Sequence, residues 1–465
     1  AMRHVVAANT DVSWLLIAGE RWLDGGRLYA EILETNPPMA VLVYVPALLI
    51  SRALGVSAEI VLDGLLFTAI AMSLATSALI LRRSSVLSAP QQGLMAIMAA
   101  AVLAVLPVQA FGQREHIAVI GLLPAAAALA LRMNREAPPP WVIVVAGLGL
   151  GFALSFKPHF AIAVLTCLGV AALHLKSWRI FLVPENLVAA AAVTGYSACT
   201  FLFFPEYFTV ITPLLRDVYS IGLPLSWMLA KPVVQLWGVI LVTTMLLGRG
   251  KATDATLVLL VTASLGFGVV YFLQRKGWPY HSYPMMAFAL LGLGYAMIPR
   301  EGEPAPGRRW LAGMAAVFAA LFGASLVWFN HVFDGRPLQT AVARLGTHPT
   351  ILAISGNGGI AHPLTRAVGG VWASRQQALL VTSHDRFLRE IGSPGATTLE
   401  SYAAREREWL IADFRKYRPT IVLVDRLGDD WAGWFRQSPE LVDLMKGYRL
   451  TETVTDIDIY VSRTD

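Results

Sequence analysis

The sequence predicts a polytopic α-helical membrane protein that ends in a small water-soluble α/β domain. Three observations predict it. Apolar residues fill 56% of the 465 positions and charged residues only 15%, against about 25% charged in an ordinary soluble domain. The charges are spread unevenly, with 36 of the 68 in residues 1–333 and the other 32 in the last 132. Apolar segments also recur through the first part at close to the roughly 20 residues that cross a bilayer. Disorder, collagen, coiled coil and a disulfide-stapled secreted fold are excluded by the same figures.

Within 1–333 the spans read as 59–81, 92–111, 117–131, 141–156, 160–175, 186–204, 232–248, 256–273, 284–299 and 310–330. Residues 1–8 read as the tail of one more, truncated membrane helix, for about eleven spans in all. Short basic stretches separate alternate spans: Arg82 and Arg83; Arg132 and Arg135; Lys176 and Arg179; Arg249 and Lys251; Arg300, Arg308 and Arg309. The positive-inside rule turns these toward the cytoplasm. Much of the basic excess behind the net charge of +6 therefore reports topology, and nucleic acid is not an expected partner. Cys167 and Cys199 sit in apolar runs and read as small core residues. No Cys/His cluster has zinc spacing.

The intervening stretches then face the outside, the periplasm in a bacterium. They are residues 9–58, the turn 112–116, Lys157-Pro158-His159, the loop 205–231, and 274–283. Each sets ionisable groups beside aromatics, Pro or Gly. Segment 38–54 is apolar but short, and counting it as a span would turn Arg82 and Arg83 outward, so it reads as a surface helix. Residues 11–24 read likewise, with Trp14, Leu15, Ala18 and Trp22 on one helical face and Glu20 and Asp24 on another.

From Asp334 the composition is that of a small α/β domain. Thr350–Ser355, Thr420–Asp425 and Ile457–Ser462 read as strands, and 399–418 as a helix rich in Arg and Glu. Gly356-Asn357-Gly358-Gly359 follows the first strand but lacks the full dinucleotide fingerprint, so a plain turn is expected. No catalytic constellation is evident in this domain.

Candidate chemistry gathers in the outer stretches. Asp11 opens the first of them beside Asn9 and Thr10, and its bland alternative is to cap helix 12–24. Glu34 and Asn36 precede a rigid Pro37-Pro38 turn. Arg114, Glu115 and His116 stand between two spans, where each charge must be hydrated, paired or functional. Lys157 and His159 flank Pro158 at a helix end, and Arg275, Lys276, Tyr280 and His281 crowd another. Carboxylates in such a cluster can take a proton from a hydroxyl, and ammonium or guanidinium groups can hold a phosphate.

In this order the motifs resemble the GT-C glycosyltransferases that use polyprenyl-phosphate sugars, most nearly the family 39 group. The resemblance covers roughly residues 1–300. Asp11 matches that family's Asp at the opening of the first outer loop. Glu34 to Pro38 partly matches its acid-Lys-Pro turn, with Asn36 where Lys is usual. Glu115 matches the acid of the second outer turn, Lys157-Pro158 a Lys-Pro pair, and Lys276, Gly277, Pro279 and Tyr280 a further Lys-Gly motif.

The resemblance implies sugar transfer from a polyprenyl phosphate to a hydroxyl of a lipid, glycan or protein acceptor, by an inverting single displacement on the periplasmic face of a bacterial inner membrane. It implies Asp11 as base, with Lys157, Arg275 and Lys276 on the departing phosphate. Glu115, with Arg114 and Glu34, would orient the acceptor or the base. His116, His159, Tyr280, His281 and Asn36 complete the expected substrate-binding set. No cofactor is required, and a divalent cation stays open. The rival classes are a transporter, which would put its charges at the midplane of broken helices, and an O-antigen ligase or polymerase, whose functional elements would lie in one large late outer loop.

The topology is directly testable. Cysteines introduced at Ser84, Asn134 and Glu303 should resist an impermeant thiol reagent in intact cells, and one at Thr340 should react. Labelling at 84 and 134 from outside would overturn the map.

Overall fold

The computed structural model describes residues 9–463 apart from 83, 220–221, 252–253, 300–306, 331–332, 393–395 and 428. The expected helix tail 1–8 and the basic residues Arg83 and Arg300 lie outside the described residues. Two compact units emerge from the contacts. One comprises Ile50–Leu202 and Gly222–His331; the other comprises Ala1–Leu49, Phe203–Ile221 and Val332–Asp465.

The first unit is helical. Each of the ten expected spans coincides with an apolar helix. Among the described residues Ala58–Leu81, Arg114–Met133, Pro184–Phe203, Ala255–Gln274 and Arg308–Phe329 are long and apolar enough to cross a membrane. Pro140–Phe156, Phe160–Leu175 and Pro232–Leu247 are shorter apolar helices. Tyr283–Met297 is buried at every residue, so protein encloses it on all sides.

Several polar groups inside this unit are satisfied within it, because lipid offers no partners. Ser264 Oγ donates to the Met285 carbonyl and accepts from Trp237 Nε1, both at 2.8 Å. Tyr283 donates to the Val102 carbonyl at 2.9 Å. Helices Arg114–Met133 and Pro140–Phe156 cross so closely that a Cβ on Gly149 would stand 2.5 Å from the Gly121 carbonyl oxygen. Such small-residue contacts replace the hydrophobic drive that is missing between helices in lipid. At the opposite end of the first of these helices, Arg132 Nη2 donates to Glu185 Oε2 at 2.8 Å.

Two boundaries depart from expectation. The helix predicted for 92–111 is Ala89–Ala100 with a π-helical turn over Ala101–Val105. It stops before Pro107, which has no N–H to continue it. Residues 112–116, expected as a turn, are split: Gln113 is the extended N-cap, and Arg114, Glu115 and His116 form the first helical turn. The loop 205–231 also contains helical pieces, Thr212–Leu214 between two π-helical turns and Leu225–Leu229.

The second unit is built on a five-stranded sheet. Its strands are β1 (Thr350–Ile354), β2 (Val371–Trp372), β3 (Ile421–Asp425), β4 (Tyr448–Val454) and β5 (Ile457–Ser462), in the order β2-β1-β3-β5-β4. β1 runs parallel to β2 and β3, while β5 is antiparallel to β3 and β4. β1 and β3 are nearly unbroken apolar runs, as strands covered on both faces must be. The two strands absent from the sequence reading are the edges: β2 has only two residues, and β4 is largely exposed.

Helix Thr10–Leu23 belongs to this unit and buries Val12 through Gly19. Its cap is Asn9, whose side chain accepts from the Asp11 N–H. The bland alternative for Asp11, capping this helix, is thereby excluded: Asp11 lies inside the first turn, and its carboxylate is not the cap.

Helix Leu380–Glu390 is capped from a neighbour. Glu406, in helix Ala396–Tyr417, accepts from the N–H of Val381 at 3.2 Å and of Thr382 at 2.7 Å. Burial outweighs these bonds and raises the Glu406 carboxyl to about 7. Because the folded value lies above the ordinary one, stability is fullest below the ordinary glutamate range, falls as pH rises toward 7, and is flat beyond. Protection of helix Leu380–Glu390 against amide exchange, corrected for intrinsic rates, should fall over that window by an order of a few kcal/mol. Glu406→Gln should remove the dependence; an unchanged slope would contradict the assignment.

Candidate active site

Six of the expected residues meet in the helical unit. The turn before helix Arg114–Met133 needs Gly112 at φ +81°, a region open to glycine at little cost. The Gly112 N–H then donates to His116 Nδ1 at 3.0 Å. The proton of His116 therefore sits on Nε2 and is donated to the Leu103 carbonyl at 2.7 Å. Both nitrogens of His116 serve the fold.

Glu115, one residue earlier, is fully buried. Its Oε1 accepts from Lys157 Nζ at 2.5 Å. Lys157 is itself buried and ends helix Pro140–Phe156 in extended backbone. Its ammonium lies 3.1 Å from His281 Nε2 and 5.7 Å from the Tyr280 ring centre, and Arg114 stands over the same ring at 5.9 Å. His281 and Tyr280 come from the short 3₁₀ turn Pro279–Ser282.

Burial first, then Lys157 and Arg114, holds His281 well below the usual imidazole range. His159 falls to about 3, through burial and then Lys157. Both imidazoles are thus neutral, and Lys157 donates to His281 Nε2, which leaves the His281 proton on Nδ1. Glu115 Oε2, His281 Nδ1 and His159 Nε2 are buried and have no protein partner among the described residues.

Arg275 and Lys276 follow the end of helix Ala255–Gln274. Arg275 is exposed, adopts the left-handed region, and donates from Nε to the Leu223 carbonyl at 2.7 Å. Lys276 is partly buried. Burial, then neighbouring Arg275, brings its ammonium down to about 8.

Asp11, Glu34 and Asn36 belong to the other unit. Glu34 is buried and saturated: Oε2 accepts from Trp14 Nε1 at 2.6 Å, and Oε1 from the Asn36 backbone at 2.8 Å and side chain at 2.5 Å. Asn36 thus spends its amide on Glu34, and together they clamp the loop. Asp11 Oδ1 accepts from Gln377 Nε2 at 3.0 Å. His362 lies near enough to feel its charge, fully buried between Trp14 and Trp372, and burial lowers it to about 3. Among the described residues no three His, Cys, Asp or Glu side chains are grouped to hold a metal ion.

No protein-family model and no curated protein matches this sequence. Solved structures do. The crystal structure of ArnT from Cupriavidus metallidurans in the apo state superposes at a TM-score of 0.60 and 14% identity, over 99% of this chain and 94% of that one. ArnT from the same organism bound to undecaprenyl phosphate gives 0.57 and 13%, with the same coverage. ArnT is a lipid A aminoarabinose transferase of the GT-C family.

The chain has the fold of ArnT.

It is a multi-pass membrane protein of that architecture, with a C-terminal α/β domain. Sequence reasoning found the residues of the Lys157 cluster because all are ionisable or aromatic beside apolar runs. It missed Gln377 and His362. Neither carries a local signal, and their partner Asp11 is more than 350 positions away.

If the Lys276 ammonium binds an anion, that affinity should fall as pH rises through about 8, where an ordinary lysine would stay charged to about 10. Titrating inorganic phosphate or a polyprenyl phosphate against protein from pH 7 to 10 measures it. Lys276→Arg should hold its affinity across that range; a wild type equally flat would contradict the assignment.

Proposed function

We propose that this protein is a glycosyltransferase that moves a sugar from a polyprenyl-phosphate donor to a hydroxyl of a lipid, glycan or protein acceptor, at the periplasmic face of a bacterial inner membrane. The observation that carries the reading is the Lys157 cluster. A buried ammonium is set among three buried polar atoms that have no protein partner among the described residues, and buried polar groups are ordinarily satisfied. An anionic substrate group with acceptor oxygens fits the Lys157 ammonium and the His281 Nδ1–H, and a substrate hydroxyl, as a donor, fits Glu115 Oε2. The undecaprenyl phosphate in the ArnT structure supports a lipid-linked phosphate as that group.

In the proposed reaction the acceptor hydroxyl gives its proton to Asp11. Its oxygen forms a bond to the anomeric carbon as the bond from that carbon to the phosphate oxygen breaks. The lipid leaves as a phosphate monoester, and the sugar carbon is inverted. Lys157, Arg114 and Lys276 offset the charge growing on the phosphate. Glu115 has a positioning role, since its Oε1 is already engaged by Lys157. His281 Nδ1–H offers a neutral donor. Glu34, Asn36 and His116 are left out of the substrate-binding set because their polar groups are spent inside the protein. Arg275 has its Nε on Leu223 and is kept only as a source of positive field.

The structure changes how the reading must be tested. Lys157→Met alone would strand Glu115 as a buried unpaired charge, at about 3–5 kcal/mol, and mix folding with function. The double variant Lys157→Met/Glu115→Gln removes both charges. It should fold and lose donor affinity by tenfold to a hundredfold, the scale of about 1.5–3 kcal/mol for a charged hydrogen bond. Asp11→Asn keeps an oxygen for Gln377 and leaves the Asn9 cap intact. Its turnover should fall by about 10²–10⁴ with the melting temperature and donor affinity unchanged. Full activity in a folded Asp11→Asn protein would remove Asp11 as the base.

A further inference from the structure

We infer that Gln377 is a positioning residue for Asp11, and that Gly358 in the turn after β1 makes room for it. The inference rests on the proposed role of Asp11. It gives the C-terminal domain a part in the reaction.

The segment that carries Gln377 is tied down on both sides. Arg375 forms a paired bond to Asp413, with Nη2 to Oδ1 at 2.8 Å and the backbone N–H to Oδ2 at 2.8 Å. The Arg375 carbonyl accepts from the Leu33 N–H at 2.7 Å, and the Ser374 carbonyl from Arg21 Nη1 at 2.6 Å. Trp372 Nε1 donates to the Gln376 carbonyl at 2.9 Å, and the Leu379 N–H to Ser355 at 2.8 Å. A loop pinned at 374, 375, 376 and 379 presents residue 377 with little backbone freedom left to lose. Preorganisation of this kind separates a positioning group from an incidental contact.

The side chain needs space as well. A Cβ on Gly358 would stand 3.1 Å from both Cγ and Nε2 of Gln377. Asn357 braces the same turn by accepting from the Gly359 N–H at 2.9 Å. Gly356-Asn357-Gly358-Gly359, which no phosphate reading explained, thus acquires a use: its bare backbone lets the amide lie against Asp11.

Chemically, a neutral amide donor favours the charged carboxylate and fixes its rotation without adding a proton that could compete for it. His362 also faces Asp11. Its imidazole, held near 3 by burial and then by Arg366 against the pull of Asp11 and the Gln377 backbone, stays neutral through the working range. Gln377 then supplies a neutral donor that orients the Asp11 carboxylate.

The test is the reactivity of Asp11 at one fixed pH, in the full-length protein in detergent. Carboxyl labelling by a water-soluble carbodiimide, read at Asp11 by peptide mass spectrometry, gives a rate independent of activity. Gln377→Leu removes the bond to Oδ1 and should speed that labelling. In the same variant kcat should drop about tenfold, while donor KM and melting temperature hold. Gly358→Ala, which crowds the amide from a different residue, should change the labelling rate in the same direction. Unchanged labelling rates in both variants overturn the inference. A wild-type protein inert toward every donor would defeat the transferase reading, while the labelling rate still decides on Gln377.

Discussion

A lysine ammonium buried 2.5 Å from a glutamate carboxylate is the constraint on which the helical unit turns. Taking either charge out of water is costly, and the pair is tolerable only because each offsets the other. Three elements must end at the right place for that to happen: the first turn of helix Arg114–Met133, the C-cap Lys157 that follows Pro140–Phe156 and the 3₁₀ turn Pro279–Ser282. Glu115 gains further from standing at a helix N-terminus, where the backbone dipole favours an anion. The close crossing at Gly121 and Gly149 holds the first two of these helices together.

Polar saturation separates scaffold from function. His116, Glu34 and Asn36 have their polar groups occupied by neighbours a few residues to a few turns away. Such groups specify a fold. Glu115, His281 and His159 each retain a buried atom with no protein partner among the described residues, a state that costs free energy unless something outside the protein completes it. A structure selected for stability alone would not keep three such atoms around one lysine.

Much of the architecture was legible in the sequence because hydrophobic length and the placement of Arg and Lys are local signals. The spans, a helix over Thr10–Leu23 and strands β1, β3 and β5 all read directly from such patterns, although that helix is buried from Val12 through Gly19 and is not the surface helix expected. Helix starts were less legible. Arg114, Glu115 and His116 look like a loop by polarity, yet they form a helical turn because burial pairs each of them. Capping was the bland alternative for Asp11, and Asn9 holds that position instead. The edge strand β4 is mostly exposed and carries Arg449 and Glu452, so it lacks the apolar run that marks a buried strand. Gln377 was illegible altogether. An uncharged side chain in a loop gains meaning only when the fold brings it to a carboxylate 366 positions earlier.

The central claim is that a lipid phosphate is parted from a sugar. The most direct measurement is ³¹P nuclear magnetic resonance of a polyprenyl-phosphate sugar incubated with purified protein and a panel of hydroxyl acceptors. The account predicts loss of the phosphodiester resonance, growth of the polyprenyl phosphate monoester, and appearance of the sugar on the acceptor with inverted anomeric configuration. A donor that binds, or crosses the bilayer of a vesicle, with its phosphodiester intact would contradict it and return the chain to the transporter reading.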